Sequence, residues 1–144
     1  MKPQILVVED NPANSELLCD WLCGAGYDVF VAVDLAGAFS AVQLAQPHAV
    51  LLDVDLGGED GLDFAQWMRQ QPPLQHIPVI AVSAHAMMTE QTRMREAGCV
   101  VCISKPVDFQ LLGETLDRFL SPVNAARCAE RKGSGDANKS TRGG

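Results

Sequence analysis

Four short apolar runs in this chain each stop on a side chain able to do chemistry. Gln4–Val8 (QILVV) stops at Glu9-Asp10, residues 49–52 (AVLL) at Asp53, residues 78–82 (PVIAV) at Ser83, and residues 100–103 (VVCI) at Ser104-Lys105. Three carboxylates, a hydroxyl and an ammonium are what phosphoryl transfer to a carboxylate requires. One aspartate attacks as nucleophile. A metal and a lysine offset charge on the transferring oxygens, and a hydroxyl donates a hydrogen bond. Glu9, Asp10 and Asp53 cannot all be ionised within a few ångströms of one another without a compensating cation. Hard oxygen ligands in a partly open cluster suit Mg2+, which keeps several waters and takes one or two carboxylates. Taken singly, each residue has an ordinary job: helix capping for Glu9-Asp10, a cap or turn for Asp53, a turn for Ser83, a solvated loop charge for Lys105. Agreement of all four run ends is the signal.

The intervening sequence supplies the elements that must bring these ends together. Asn11-Pro12 offers an N-cap and a proline at the first helical position. Leu17, Leu18, Trp21 and Leu22 then recur with a helical period, and Gly24 and Gly26 end that helix. Asp28–Ala32 (DVFVA) is a weaker, more alternating strand, as an edge strand would be. Asp34 caps a helix to about Ala45, with Leu35, Phe39, Val42 and Leu44 mostly on its buried side. Gly57-Gly58 makes a loop, and Asp60 caps a helix carrying Leu62, Phe64, Ala65 and Met68. Helices are predicted over residues 87–97, stopped by Gly98, and 108–120. Five strands alternating with five helices form a (βα)5 pattern. The continuous apolar strands imply a parallel sheet covered on both faces. Such an open α/β sheet places its site at the carboxyl ends of the strands, where the four chemical groups fall.

Composition narrows the classes. At 144 residues, 47% apolar and 20% charged, the chain fits one globular domain with a tail. No apolar run approaches the roughly 18 residues that span a bilayer, and Met1-Lys2-Pro3-Gln4 lacks a signal-peptide core. A cytoplasmic protein without membrane association is the expectation. The net charge of −7 is uneven: beyond Asn124, five basic residues face two acidic ones, +3, leaving −10 for the rest. So acidic a body has no electrostatic footprint for nucleic acid. Five cysteines, an odd number, point to reduced thiols. Cys19-x3-Cys23 with Cys99-x2-Cys102 has zinc-like spacing, but Cys19 and Cys23 fall in a helix and Cys102 in an apolar strand, where small buried hydrophobes fit better. From Pro122 the composition turns small, polar and Gly/Ser-rich, which predicts a disordered tail.

The motifs VVEDNPAN, LLDVDLGGEDG, VSAHAM and EAGCVVCISKPVD together resemble the response-regulator receiver domains of bacterial two-component signalling, with the chemotaxis receivers among them. The resemblance covers about Gln4 to Leu120, giving a receiver domain over residues 1–121 and a flexible polar, basic tail or linker over 122–144. It implies a flavodoxin-like, doubly wound α/β fold, a five-stranded parallel sheet in the order 2-1-3-4-5. It further implies that Asp53 is the phosphoacceptor. Asp10 and Asp53 would ligate Mg2+ directly, with the backbone carbonyl of Asp55, and Glu9 would act through water. Ser83 and Lys105 would contact the phosphoryl group, small Ala84 would leave room for it, and the Lys105–Pro106 peptide would be cis. The resemblance also implies that Asp55 and His85 occupy positions that tune how fast the aspartyl phosphate hydrolyses.

Two departures stand out. Receivers usually carry Tyr or Phe three residues before the lysine, where the ring rotates inward on activation; here that position is Cys102. The hydroxyl half of the switch at Ser83 can survive, so the signal is expected to leave mainly through the loop and helix around residues 87–97. Gly57 stands where proline is usual, which predicts a looser loop at Gly57-Gly58.

The expected function is a phosphorylation-dependent switch, with no enzymatic turnover beyond its own phosphorylation and dephosphorylation. It would take phosphate from a histidine kinase or histidine phosphotransfer protein. It would act on a downstream protein through the fourth helix, fifth strand and fifth helix. After Leu120 only about two dozen residues remain, fewer than a helix-turn-helix domain needs. The chain then reads as a stand-alone receiver or a receiver from a larger protein such as a hybrid histidine kinase. A Mg2+-dependent phosphatase with an aspartyl nucleophile competes, since Asp55 supplies a second acid two residues on. Nothing in the chain is long enough to be that enzyme's substrate cap. A pseudo-receiver that binds without phosphorylation fits the complete acid, hydroxyl and lysine set poorly.

Overall fold

The computed structural model describes residues 2–84 and 87–120. The elements follow the apolar runs: β1 (Gln4–Val8), α1 (Pro12–Gly24), β2 (Asp28–Ala32), α2 (Leu35–Ala45), β3 (Ala49–Asp53), a small hairpin of β4 (Asp55–Leu56) and β5 (Glu59–Asp60), α3 (Leu62–Arg69), a 3-10 turn (Pro72–Leu74), β6 (Val79–Ser83), α4 (Met88–Glu96), β7 (Val101–Ser104) and α5 (Phe109–Leu120). The five long strands pair in parallel in the order β2-β1-β3-β6-β7. Counting long strands alone, that is the expected 2-1-3-4-5, the flavodoxin-like receiver arrangement. The chain divides into two compact units, Met1–Asp108 and a second beginning at Phe109, of which α5 is described. The expected tail over 122–144 lies outside the described residues.

The sheet centre is buried because its strands are apolar on both faces. Every residue of β3 and β6 is buried, whereas edge strand β2 is largely exposed. Alternation along the strands sends Leu6, Val8, Val50, Leu52, Val79 and Ala81 to one face. There they join Ala38 and Val42 of α2, Phe64, Ala65 and Met68 of α3, and Met94 of α4 in one cluster. Leu18 and Leu22 of α1 are buried outside that cluster, with Ile5, Val7, Leu51 and Ile80 available on the opposite sheet face.

Caps fix where the helices begin. Asn11 Oδ1 accepts from Ala13 N at 2.9 Å and Asn14 N at 3.2 Å, holding the start of α1 directly behind Glu9-Asp10. Asp34 Oδ1 accepts from Gly37 N at 2.8 Å at the head of α2. Asp60 acts one position earlier than a standard cap, its Oδ1 accepting from Leu62 N at 3.0 Å. Leu44, expected mostly on the buried side of its helix, is 88% exposed, and Leu17, in the same helical period as buried Leu18 and Leu22, is 58% exposed. Both lie at the margin of a narrower stripe that Leu18 and Leu22, or Ala38 and Val42, already fill.

The looser loop expected at Gly57-Gly58 is instead a tight two-residue hairpin. Asp55 pairs with Asp60 and Leu56 with Glu59. Gly57 and Gly58 have φ of 48° and 98°, the positive values such a loop demands and proline cannot adopt. Leu56 is buried beneath the hairpin, and Glu59 Oε1 accepts from Leu35 N at 3.1 Å, tying the hairpin to the head of α2.

Candidate phosphoacceptor site

The parallel register brings the strand ends level. Val8 pairs with Leu52, Asp53 with Val82, and Ser83 with Ser104, so Glu9, Asp53, Ser83 and Lys105 all leave the sheet at its carboxyl edge. Asp53 is 3% exposed and Glu9 likewise 3%, while Asp10 lies in solvent. One ligand oxygen from each of Glu9, Asp10 and Asp53 can be chosen so that all lie within 4.8 Å of one another. Lys105 reaches into this cluster, donating to Asp53 Oδ2 at 3.0 Å and approaching Glu9 Oε1 at 3.4 Å. The other Asp53 oxygen, Oδ1, accepts from Asp55 N at 3.0 Å. Both Asp53 carboxylate oxygens therefore accept hydrogen bonds. The Lys105–Pro106 peptide is cis, as the resemblance implied.

Charge in this pocket is only partly balanced. Burial pushes the Glu9 carboxyl above its ordinary value, and its hydrogen bond to Asp53 and that residue's charge push it further. The Asn11 N–H, donating to Glu9 Oε2 at 3.2 Å, and the Lys105 charge oppose this without cancelling it. For Lys105 the largest single influence is burial, which favours the neutral amine. The bond to Asp53 and the combined charge of Asp53 and Glu9 outweigh it and raise the ammonium's pKa. Among the described residues, one lysine thus meets two of the three clustered carboxyl groups, which outnumber it.

Ser83 is 1% exposed at the end of β6, and its carbonyl accepts from Lys105 N at 2.9 Å. Together with Val54 and Asp55 it lines a cavity of ≈ 330 Å³ that continues to the hairpin and to α4. Asp55 is exposed at that mouth, and Ala84 is also exposed. His85 lies outside the described residues. Cys102 sits in β7 opposite Ala81, half-buried against the core cluster near α4 rather than at the Asp53 carboxylate. Cys19, Cys23, Cys99 and Cys102 are in no disulfide, and Cys128 lies outside the described residues.

Two contributors were not legible in the sequence. Gly61 presses its bare Cα against the Asp53 carbonyl, where a Cβ would overlap that oxygen. Arg93 of α4 donates to Asp60 Oδ2 at 2.7 Å, a contact across 33 positions that no local pattern announces.

The family model of response regulator receiver domains matches residues 5–117. The chain belongs to this family. As a receiver it is 33% identical over 120 residues to the polar-differentiation response regulator DivK of Brucella anthropi, a match spanning 83% of this chain and 98% of the relative. Its fold is similar to the receiver domain of a signal transduction histidine kinase from Syntrophus aciditrophicus, with TM-score 0.76 and 30% identity over 84% of this chain and 92% of the other. It is also similar to the receiver domain of a Pseudomonas aeruginosa sensor histidine kinase, with TM-score 0.76, 28% identity and coverage of 83% and 98%. That neighbour carries a magnesium ion coordinated in its active-site cleft. Among the described residues of this receiver, no helix is long and apolar enough to cross a membrane.

Proposed function

We propose that this receiver is a phosphorylation-dependent switch that accepts a phosphoryl group on Asp53 from a histidine kinase or histidine phosphotransfer protein. One observation carries the reading: a buried aspartate at the end of the central strand, bonded to Lys105 and grouped with Glu9 and Asp10. A carboxylate oxygen of Asp53 attacks phosphorus, forming an O–P bond as the bond from phosphorus to the donor breaks. Lys105 stays beside the acceptor and offsets the charge the phosphoryl oxygens bring. The Ser83 hydroxyl, at the adjoining strand end, donates to a phosphoryl oxygen, and the small Ala84 leaves space.

The donor set fits Mg2+. Hard carboxylate oxygens lie close together, one of them exposed to admit water, and their charge exceeds what Lys105 supplies. Asp10 and Asp53 would hold the ion directly, with the Asp55 carbonyl, and Glu9 through water. When bound, it would offset carboxylate charge and polarise the phosphoryl oxygens. Asp55, exposed at the cavity mouth, is positioned to meet water approaching the aspartyl phosphate, and with His85 it would set that bond's lifetime.

The proposal includes a cytoplasmic setting, a receiver body over residues 1–121 with 122–144 as a tail, and output by protein contact through α4, β7 and α5 rather than through nucleic acid. Beryllofluoride titration with Mg2+ tests the acceptor assignment. Wild type should show saturable changes around residues 53–55 that Asp53→Ala abolishes. A response that survives Asp53→Ala would assign the acceptor elsewhere.

A further inference from the structure

Helix α4 is loosely held. Within it, Met94 alone is buried, and its N-cap, Met87, makes no side-chain cap bond. Cavities of ≈ 330 Å³ flank it on two sides, one lined by Glu90 and Arg93, the other by Gln91 and Arg95. Its carboxyl end is pinned: the Arg69 guanidinium donates to the Glu96 carbonyl, and Ala97 and Cys99 are buried just beyond. From Arg93, in its last turn, an ion pair ties the helix to the acceptor side of the molecule. Arg93 reaches back to Asp60 at 2.7 Å while Glu90 grips the same guanidinium through both carboxylate oxygens at 3.0 Å. Glu90 thereby fixes Arg93 in the rotamer that spans the gap.

Asp60 leads directly to the acceptor. It pairs with Asp55 in the hairpin, and the Asp55 N–H is bonded to Asp53 Oδ1. The next residue, Gly61, donates to Val54 O at 2.8 Å and lies on the Asp53 carbonyl. A change in what Asp53 Oδ1 bonds must shift Asp55, and the two-stranded hairpin moves Asp60 with it. The tight Gly57-Gly58 loop makes that hairpin a stiff lever rather than a slack loop.

We infer that the Arg93–Asp60 ion pair couples this hairpin to α4 and carries the state of the Asp53 site to that helix, Arg93 acting as a positioning residue. The inference rests on the phosphoacceptor reading above. An exposed pair of this kind contributes little to stability, so its loss changes coupling without unfolding the domain. It supplies a route that needs no aromatic ring at position 102.

The test compares wild type, Arg93→Ala, Asp60→Asn and the double variant, each titrated with beryllofluoride and Mg2+ and read by backbone amide shifts. Asp60→Asn keeps the oxygen that caps Leu62 and removes only the charge. All four proteins should respond at Val54 and Asp55. In each single variant the response of residues 88–96 should fall at least about twofold, and the double variant should lose no more than either single one. Undiminished α4 responses in the single variants would overturn the inference, leaving the covalent path from Ser83 to α4 as the carrier. So would additive losses in the double variant. Silence at Val54 and Asp55 in wild type would instead overturn the phosphoacceptor reading, and this inference with it.

Discussion

Gly61→Ala should damage this receiver more than any other single-methyl addition to its glycines near the site. The Gly61 backbone has φ −58° and ψ −25°, which alanine adopts freely, so the cost is entirely one of space. A Cβ there would overlap the Asp53 carbonyl oxygen and lie 3.1 Å from Val54 Cα and 3.2 Å from the Asp53 carbonyl carbon. All three are backbone atoms of a buried strand end and cannot rotate away. Overpacking of this kind costs about 1–3 kcal/mol. Displacing Gly61 also stretches its hydrogen bond to Val54 O, worth about 1 kcal/mol. The sum, about 2–4 kcal/mol, is a large share of the roughly 5–15 kcal/mol that holds a domain together. Gly58→Ala is the control, because a Cβ there meets nothing within 4 Å and the cost is left-handed backbone strain alone, about 1–2 kcal/mol. Urea unfolding read by circular dichroism measures both. With a slope near 2 kcal/mol per molar, Gly61→Ala should lower the midpoint by about 1–2 M and also weaken beryllofluoride binding, since the displaced atoms belong to Asp53. A Gly61→Ala midpoint no lower than that of Gly58→Ala would refute the steric argument.

Three further outcomes follow from the site. Glu9→Gln should stabilise metal-free protein at neutral pH while weakening Mg2+ binding. The raised Glu9 pKa means the folded state holds its proton more tightly than the unfolded chain, so stability falls as pH rises from about 4.5 to the raised native value; urea midpoints across that range should lose this slope in the variant. Gly57→Pro should destabilise the domain by about 1–3 kcal/mol, because φ at 48° is closed to proline and a Cβ there lies 2.9 Å from Asp10 Oδ2; chemical unfolding alongside Mg2+ titration reads both losses. Alkylation mapping at pH 8 should find exposed Cys23 modified and Cys99 untouched in native protein, because burial pushes the Cys99 thiol up to about 12 and only the thiolate reacts.

Much of this arrangement is written in local sequence. Buried parallel strands need unbroken apolar runs, so a charged or hydroxyl residue at the end of four of the five strands marks the sheet's carboxyl edge, and the alternation of five strands with helices points to the fold. Asn11 and Asp34 cap where they do because their side chains reach only their own helix starts. The β4–β5 hairpin is not legible in the sequence because two-residue strands are too short to show a period, and Gly57-Gly58 signals a chain reversal without saying that its flanks pair. The exposure of Leu17 and Leu44 depends on the width of each helix's contact, which neighbours rather than spacing decide. Arg93–Asp60 and the Gly61 contact with Asp53 are tertiary, and neither residue type singles out its partner.

The most direct measurement of the central claim is incubation of the full chain with acetyl phosphate and Mg2+, followed by intact-mass and peptide mapping. The account predicts one phosphoryl group per chain, located on Asp53, absent in Asp53→Ala and lost again by hydrolysis after the donor is removed. Phosphate found on another residue would contradict it. So would sustained turnover of a phosphomonoester, which would mark the chain as a phosphatase and not a switch.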